Sequence, residues 1–287
     1  MDLICAQFGI TRQAHYQQLQ REQQRQLAGQ ITLEMVRQVR RKHPRMGTRK
    51  LLFKMQPMLA AEGLQIGRDR LFHLLRERDM LVQPKKAYRR TTIPGYWRTP
   101  NLLPGLTISR PNQVWVCDIT YLEVEIGHFS YLFLLMDLFS RFIVGWHVTT
   151  SLVADGAVAC LKMALKNLPE MKKTCIHHSD HGVQYSARSY MQILLQEDIR
   201  PSMGAVGNCY DNIFAERVIG TLKHEYALDA RFTDHNQVRF AAAQAIHYYN
   251  SDRPHLSLNM AAPEDVYSGV FQDAPPVVIP DSDFCST

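Results

Sequence analysis

The spacing of apolar positions changes along this chain, and the change divides it. Between Gly47 and Val82, Leu51, Leu52, Met55, Met58 and Leu59 recur three or four residues apart. Glu62-Gly63 interrupts them, and Leu71, Leu74 and Leu75 resume. That spacing predicts two short helices across a Gly-containing turn, the outline of a helix-turn-helix. Upstream, LICAQFGITRQAHYQQL predicts a short helical segment followed by a Gln-rich polar stretch. Gly9 and Thr11 suit a helix-turn-helix bend there, and a plain amphipathic helix suits the segment equally. After Gln113 the texture becomes β-rich: VWVCDITYLEV, HFSYLFLLMDLFS and RFIVGWHVTT predict three strands in succession. A helix follows at about 152–168, then a strand TCIHHSD, a helix at about 186–197 and a short strand near IRPSM. A loop with Gly204 and Gly207 then leads into a helix containing FAERVIGTLKHE. The order β-β-β-α-β-α-β-α predicts a mixed five-stranded sheet flanked by helices, an α/β fold class, preceded by an all-helical region.

Between these regions, residues 84–113 hold prolines at 84, 94, 100, 104 and 111, which forbid a continuous helix or a central strand. The domain reading is therefore a helical segment at 1–46, a helix-turn-helix at 47–83, a linker at 84–113 and an α/β core at 114–270. The Pro-rich, acidic stretch at 271–287 reads as a disordered tail.

Charge sharpens this division. Residues 1–113 carry 21 Lys and Arg against 7 Asp and Glu, a net of +14. Residues 114–287 carry 12 against 20, a net of −8. A basic front joined to an acidic body points to an arm that grips a polyanion and a body with another task. Candidate contacts are Arg68, Arg70 and Arg76 on the second helix of the helix-turn-helix. Others are Lys85, Lys86, Arg89 and Arg90 in the linker, interleaved with Tyr88, Tyr96 and Trp97. The longest clean apolar run, Tyr131–Met136, is too short to cross a bilayer, and the N-terminus lacks the basic start of a signal peptide. Six scattered cysteines without a CxxC pair suit reduced thiols, so the expected location is the cytoplasm.

Three acids stand where acids are costly or exposed to a cleft. Asp118 interrupts an apolar strand, Asp180 follows the strand CIHHS at a Gly-containing turn, and Glu216 lies in the first turns of the last helix. Acids from two strands and a helix can converge at one end of a sheet, and hard oxygen ligands there suit Mg²⁺ and phosphoryl transfer with two metal ions. Asp137 is the rival acid, with the turn at Ser140 or Arg141 as its alternative partners. Cys175, His177, His178 and His181 could suggest zinc, but soft ligands would compete with hard coordination, so His178 is read as support for Asp180. Asp211 and Asn212 could order the loop before the helix. Lys223, seven residues beyond Glu216 and on the same helix face, could reach a DNA phosphate.

These stretches carry a resemblance. WVCDITY around Asp118, HSDHGVQY around Asp180, and GNCYDNIFAE reaching Glu216 with LKHE after it resemble the D-D-E transposases of bacterial insertion sequences, in particular the OrfB-type protein of the IS-three family. A gap of 35 residues separates the second and third acids. YYNSDRPH at 248–255 and Ala262-Pro263 extend the likeness, and Arg253 within it joins the candidate DNA contacts. Departures from the family's usual pattern are Ile213, and Arg217-Val218-Ile219. The resemblance implies an RNase-H-like, retroviral-integrase-like core that cleaves element ends and joins the 3′-OH to DNA, with Asp118, Asp180 and Glu216 as catalytic metal ligands and Asn212 and His178 beside them. It also implies two Mg²⁺ ions, for which Mn²⁺ can substitute, and double-stranded DNA as partner in the form of element ends and target. A homo-oligomer on DNA and a partner from an upstream reading frame complete the expectation. A structure-selective nuclease and a catalytically inactive DNA-binding regulator are the alternatives.

Overall fold

The computed structural model of the protein describes residues 11–83, 99–125, 127–166, 175–204 and 213–281. It divides into two compact units, Met1–Gln83 and Pro84–Thr287.

The first unit holds three helices, α1 (Arg12–Lys42), α2 (Thr48–Ala61) and α3 (Arg68–Glu77). Thr11 caps α1, its Oγ1 accepting from the Ala14 N–H at 3.1 Å. The short first segment expected from the sequence is instead one helix of 31 residues. Leu33, Val36 and Val39 on its last turns enter the same apolar cluster as Leu51, Met55, Leu59, Leu71 and Leu75. A boundary at residue 46 therefore cuts through one core: spacing by three on α1 makes its C-terminal half the floor of the helix-turn-helix. The bend suggested near Gly9 lies outside the described residues.

The second unit is built on a five-stranded sheet of β2 (Val114–Glu125), β3 (His128–Asp137), β4 (Ile143–Thr149), β5 (Ile176–Ser179) and β6 (Arg200–Met203). Its spatial order is β4-β3-β2-β5-β6. β2, β3 and β4 pair antiparallel, whereas β5 and β6 add parallel to β2. Three meandering strands followed by two crossover strands form the RNase-H-like arrangement. Helices α4 (Ala154–Lys166) and α5 (Arg188–Gln196) supply the crossovers. α4 approaches β4 so closely that a Cβ on Gly145 would stand 2.5 Å from the Cys160 carbonyl oxygen.

Alternation along the strands sorts side chains onto two faces. Trp115, Cys117, Phe133 and Leu135 pack with Ala157, Leu161, Tyr190 and Leu194 of α4 and α5. Val114, Val116, Leu132, Leu134 and Met136 pack on the other face with α6 (Ile213–Glu225) and α7 (His235–Ser251). α7 had no counterpart in the sequence reading. Asp234 caps it, Oδ1 accepting from the Gln237 N–H at 2.9 Å, and Val238, Ala242, Ala245 and Tyr249 face the core. A short helix, α8 (Pro263–Tyr267), follows.

Two expectations are corrected at the ends of this unit. β1 (Thr107–Ile108) lies inside the expected linker and pairs antiparallel with β7 (Val277–Val278), inside the expected disordered tail. The Ile279 N–H adds a bond to the Leu106 carbonyl at 2.9 Å. The apolar pair Val277-Val278 between prolines finds backbone partners that composition alone does not reveal.

Candidate active site

Asp118 lies opposite Leu134 in the β2–β3 ladder, so it faces the α6 and α7 side with Val114 and Val116. β5 runs parallel to β2 with Val116 opposite His178. Asp180 follows β5 at its carboxyl end, near enough to Asp118 for the two charges to interact. There Asp180 Oδ1 accepts from the Gly182 N–H at 3.0 Å. A Cβ on Gly182 would also stand 3.0 Å from that oxygen, so a side chain there would press on the Asp180 carboxylate.

The charges of these acids interact. Burial, Asp180 and Glu216 together raise the Asp118 carboxyl to about 8, against the opposing Ile119 N–H and Lys223. Burial and Asp180 also raise the Glu216 carboxyl. Glu216 is exposed on the first turn of α6, whose Ala215, Val218 and Leu222 anchor it to the sheet. Among the described residues no three His, Cys, Asp or Glu side chains stand close enough to hold an ion together. β2 and the end of β5 thus bring two acids near one another, and the helix brings the third within electrostatic reach.

The remaining expected residues separate into distinct groups. Lys223 is half-buried. Burial lowers its ammonium, and Asp118 opposes that shift, which places its charge near the acids. His178 is fully buried, with Nδ1 2.9 Å from Ser202 Oγ of β6. His177 faces the opposite side, 2.8 Å from the Tyr190 hydroxyl, and burial holds it down at about 3. Adjacent residues on one strand diverge, so the two histidines do not share a zinc. Asp137 is fully buried as the turn-former, accepting from the Ser140 N–H and Asn112 N–H at 2.7 Å each and from the Ser140 hydroxyl. Arg68, Arg70 and Arg76 are exposed on α3. Arg68 pairs with Asp69 at 2.8 Å, and the Arg76 guanidinium lies 4.8 Å over the Phe72 ring. Asn212, Lys85, Lys86, Arg89 and Arg90 lie outside the described residues.

Arg253 is a correction. It is 6% exposed, and its Nε and Nη2 donate to Glu225 of α6 at 2.8 and 3.0 Å. Its guanidinium also lies 5.3 Å over the Tyr249 ring. A fork engaged in this way ties the end of α6 to the segment after α7 and is withdrawn from solvent.

Sequence reasoning also missed Asn250, whose amide accepts from the Ile143 N–H at 2.9 Å and donates to its carbonyl at 3.1 Å. Asn112 was missed as well: its Oδ1 accepts from Trp115 Nε1 and from the Tyr267 hydroxyl of α8, both at 3.0 Å. An asparagine within an aromatic helix end, and another beside a proline, were the signals available.

Comparison with known proteins fits this geometry. Two family models, each described as an integrase core domain, match residues 108–209 and 197–263. An insertion element IS600 protein of 31 kDa from Shigella sonnei is 33% identical over 266 residues, which cover 91% of this chain and 96% of that one. The chain belongs to the insertion-sequence D-D-E transposases. A putative transposase of the element IS150 from Escherichia coli is 32% identical over 71% of this chain and 72% of its own. One for IS986/IS6110 from Mycobacterium tuberculosis is 29% identical over 68% and 73%. Among solved structures, the HTLV-2 integrase catalytic core covers 58% of this chain and 99% of its own at a TM-score of 0.43 and 15% identity. The transposase is a polynucleotidyl transferase, and its substrate is DNA. Among the described residues no helix is long and apolar enough to cross a membrane.

Proposed function

We propose that Asp118, Asp180 and Glu216 carry the transposase chemistry, cutting the element ends and joining the exposed 3′-OH to target DNA. The observation that supports this most directly is that Asp180, just past the end of β5, lies close enough to Asp118 on the neighbouring parallel strand to raise its carboxyl, with Glu216 of α6 within the same electrostatic reach. Such a pair gathers hard oxygen donors with too little countercharge, a donor set that fits divalent cations. Asp118, Asp180 and Glu216 would hold two Mg²⁺ ions, or Mn²⁺ in their place. When bound, these ions supply a polarised phosphodiester, an activated attacking oxygen and a stabilised leaving oxygen. The chain's own part is to fix the two aspartates on the sheet, to deliver Glu216 from α6 and to hold the Lys223 ammonium where phosphate charge would develop.

The exposed arginines of α3 give the first unit a basic face for duplex DNA, with Arg70 and Arg76 as its centre. The reading extends to a homo-oligomer assembled on DNA in the cytoplasm, working with an upstream-frame partner. The test is a labelled element-end duplex incubated with protein and Mg²⁺ or Mn²⁺, scored for cleavage and for joining. Asp118→Asn, Asp180→Asn and Glu216→Gln should each abolish both steps while DNA binding persists. Near-normal joining by any one of them would defeat the assignment. Release of a 3′-OH that is never joined would point instead to a nuclease.

A further inference from the structure

The turn between β3 and β4 holds an arginine in an unusual position. Arg141 has φ +63°, the left-handed region, which costs a non-glycine residue about 1 kcal/mol or more. The turn is held in that shape from two sides. From inside, Asp137 accepts from Ser140 and Asn112 through its carboxylate, and its carbonyl accepts from the Arg141 N–H at 2.9 Å. From α7, Asn250 brackets the Ile143 backbone two residues further on. The result sends the Arg141 side chain across the α6 side of the sheet. Its guanidinium lies 5.1 Å from the centre of the Phe214 ring, in the first turn of α6. Its Nη1, shielded from solvent, has no hydrogen-bond partner among the described residues. Tyr249 of α7 and the Asp137 carboxylate lie near Arg141 as well. A cation whose buried donor finds no acceptor, on a backbone held in the left-handed region, is costly to retain as surface decoration. What the arrangement does provide is a fixed seat for one aromatic ring.

Phe214 is two residues before Glu216. We infer that Arg141 is a positioning residue: by clamping Phe214 it sets the first turn of α6, and with it the placement of Glu216 over Asp118 and Asp180. The inference rests on the reading of Glu216 given above, and it identifies what holds that acid in place. The far end of the same helix is fixed separately, through Glu225 and Arg253. Arg217, next to Glu216, is exposed and its charge is unfavourable to Arg141. Beside the attraction of Asp137 within its own turn, the Phe214 ring is the contact through which the guanidinium reaches α6.

The experiment uses the full chain saturated with labelled element-end duplex, with single-turnover cleavage started by Mn²⁺ or Mg²⁺. Arg141→Gln and Phe214→Leu should each slow cleavage by about tenfold while the Kd for DNA stays within about twofold, because the loss falls on orientation and not on binding. The double variant should be no more than about twofold slower than the slower single one, since both remove the same contact. Phe214→Trp should cleave at close to the wild-type rate, and Arg141→Lys should recover part of it. A second readout needs no turnover: without DNA, the rise in Tm on adding Mg²⁺ should be smaller in Phe214→Leu than in the wild type. If Arg141→Gln does not fold, the comparison of Phe214→Leu with Phe214→Trp decides. Cleavage by Phe214→Leu within twofold of wild type would overturn the inference. So would multiplicative losses in the double variant, or a rate loss that tracks weakened DNA binding. Glu216→Gln serves as reference. If it cleaves normally, the reading of the acids fails; if it is inactive while Phe214→Leu is normal, only the role of Arg141 fails.

Discussion

Replacing Asp118 by Asn should stabilise the metal-free protein while destroying its chemistry. The folded carboxyl sits at about 8 against an ordinary 3.8. In the unfolded chain it ionises from about pH 4, whereas in the folded chain it keeps its proton until about pH 8. Between those values the folded state binds more protons, so this group's contribution to stability falls as pH rises and levels off above 8. A shift of about 4 pH units at about 1.4 kcal/mol each sets a ceiling of about 6 kcal/mol. Relaxation and water around a half-buried group reduce that, and a gain of about 1–3 kcal/mol for Asp118→Asn at pH 8 is expected. Asn keeps an oxygen for the Ile119 N–H, which Asp118 Oδ1 accepts at 2.8 Å, so no new donor is stranded. The assay is urea denaturation from pH 4 to 9 with a chelator present, then with Mg²⁺. Without metal, the advantage of the variant should grow from pH 4 to 8. With an ion at about a hundredfold excess over its Kd, the wild type should gain about 2.7 kcal/mol and the variant far less. A variant less stable than the wild type at pH 8 without metal would refute the electrostatic argument. An equal response of both proteins to Mg²⁺ would refute the ligand assignment.

Other elements give further expectations. Arg253→Met should cost about 1–3 kcal/mol in chemical denaturation by taking the buried guanidinium away from the partly buried Glu225, and Glu225→Gln combined with it should recover part of the loss. Asp137→Asn should cost about 1–3 kcal/mol because an amide cannot accept the same three donors, yet the folded fraction should still cleave element ends. Arg70→Gln with Arg76→Gln should weaken duplex binding and flatten its log–log salt dependence by about two units, one for each lost phosphate contact. An unchanged salt slope would remove α3 from the interface.

Those parts of the fold fixed by local pattern were legible in the sequence, and those fixed by long-range pairing were not. β2, β3 and β4 could be read because each is an apolar-rich run, and the short β5 and β6 because they fall between turn signals and helices. Asp118 stood out because a carboxylate inside such a run needs a reason to be there. That Asp118 and Asp180 come near one another depends on the register Val116 opposite His178, which no spacing along the chain determines. Arg253 shows the converse error. A charged residue in a polar motif reads as surface, but its partner Glu225 lies 28 residues away, and only the packing of α6 on α7 brings the two together. The tail was misread for the same reason, since β7 exists only through β1. Glu216 falls between these cases. Its helix is visible in the sequence, and its distance from the aspartates is set by contacts at both ends of α6, to Arg141 and to Arg253, that the pattern of α6 does not contain. A catalytic acid on a separately packed helix can be adjusted without disturbing the sheet, so the two aspartates should tolerate less change around them than Glu216 does. The positions at which the chain departs from the expected family motif, Ile213 and Arg217-Val218-Ile219, fall on that helix.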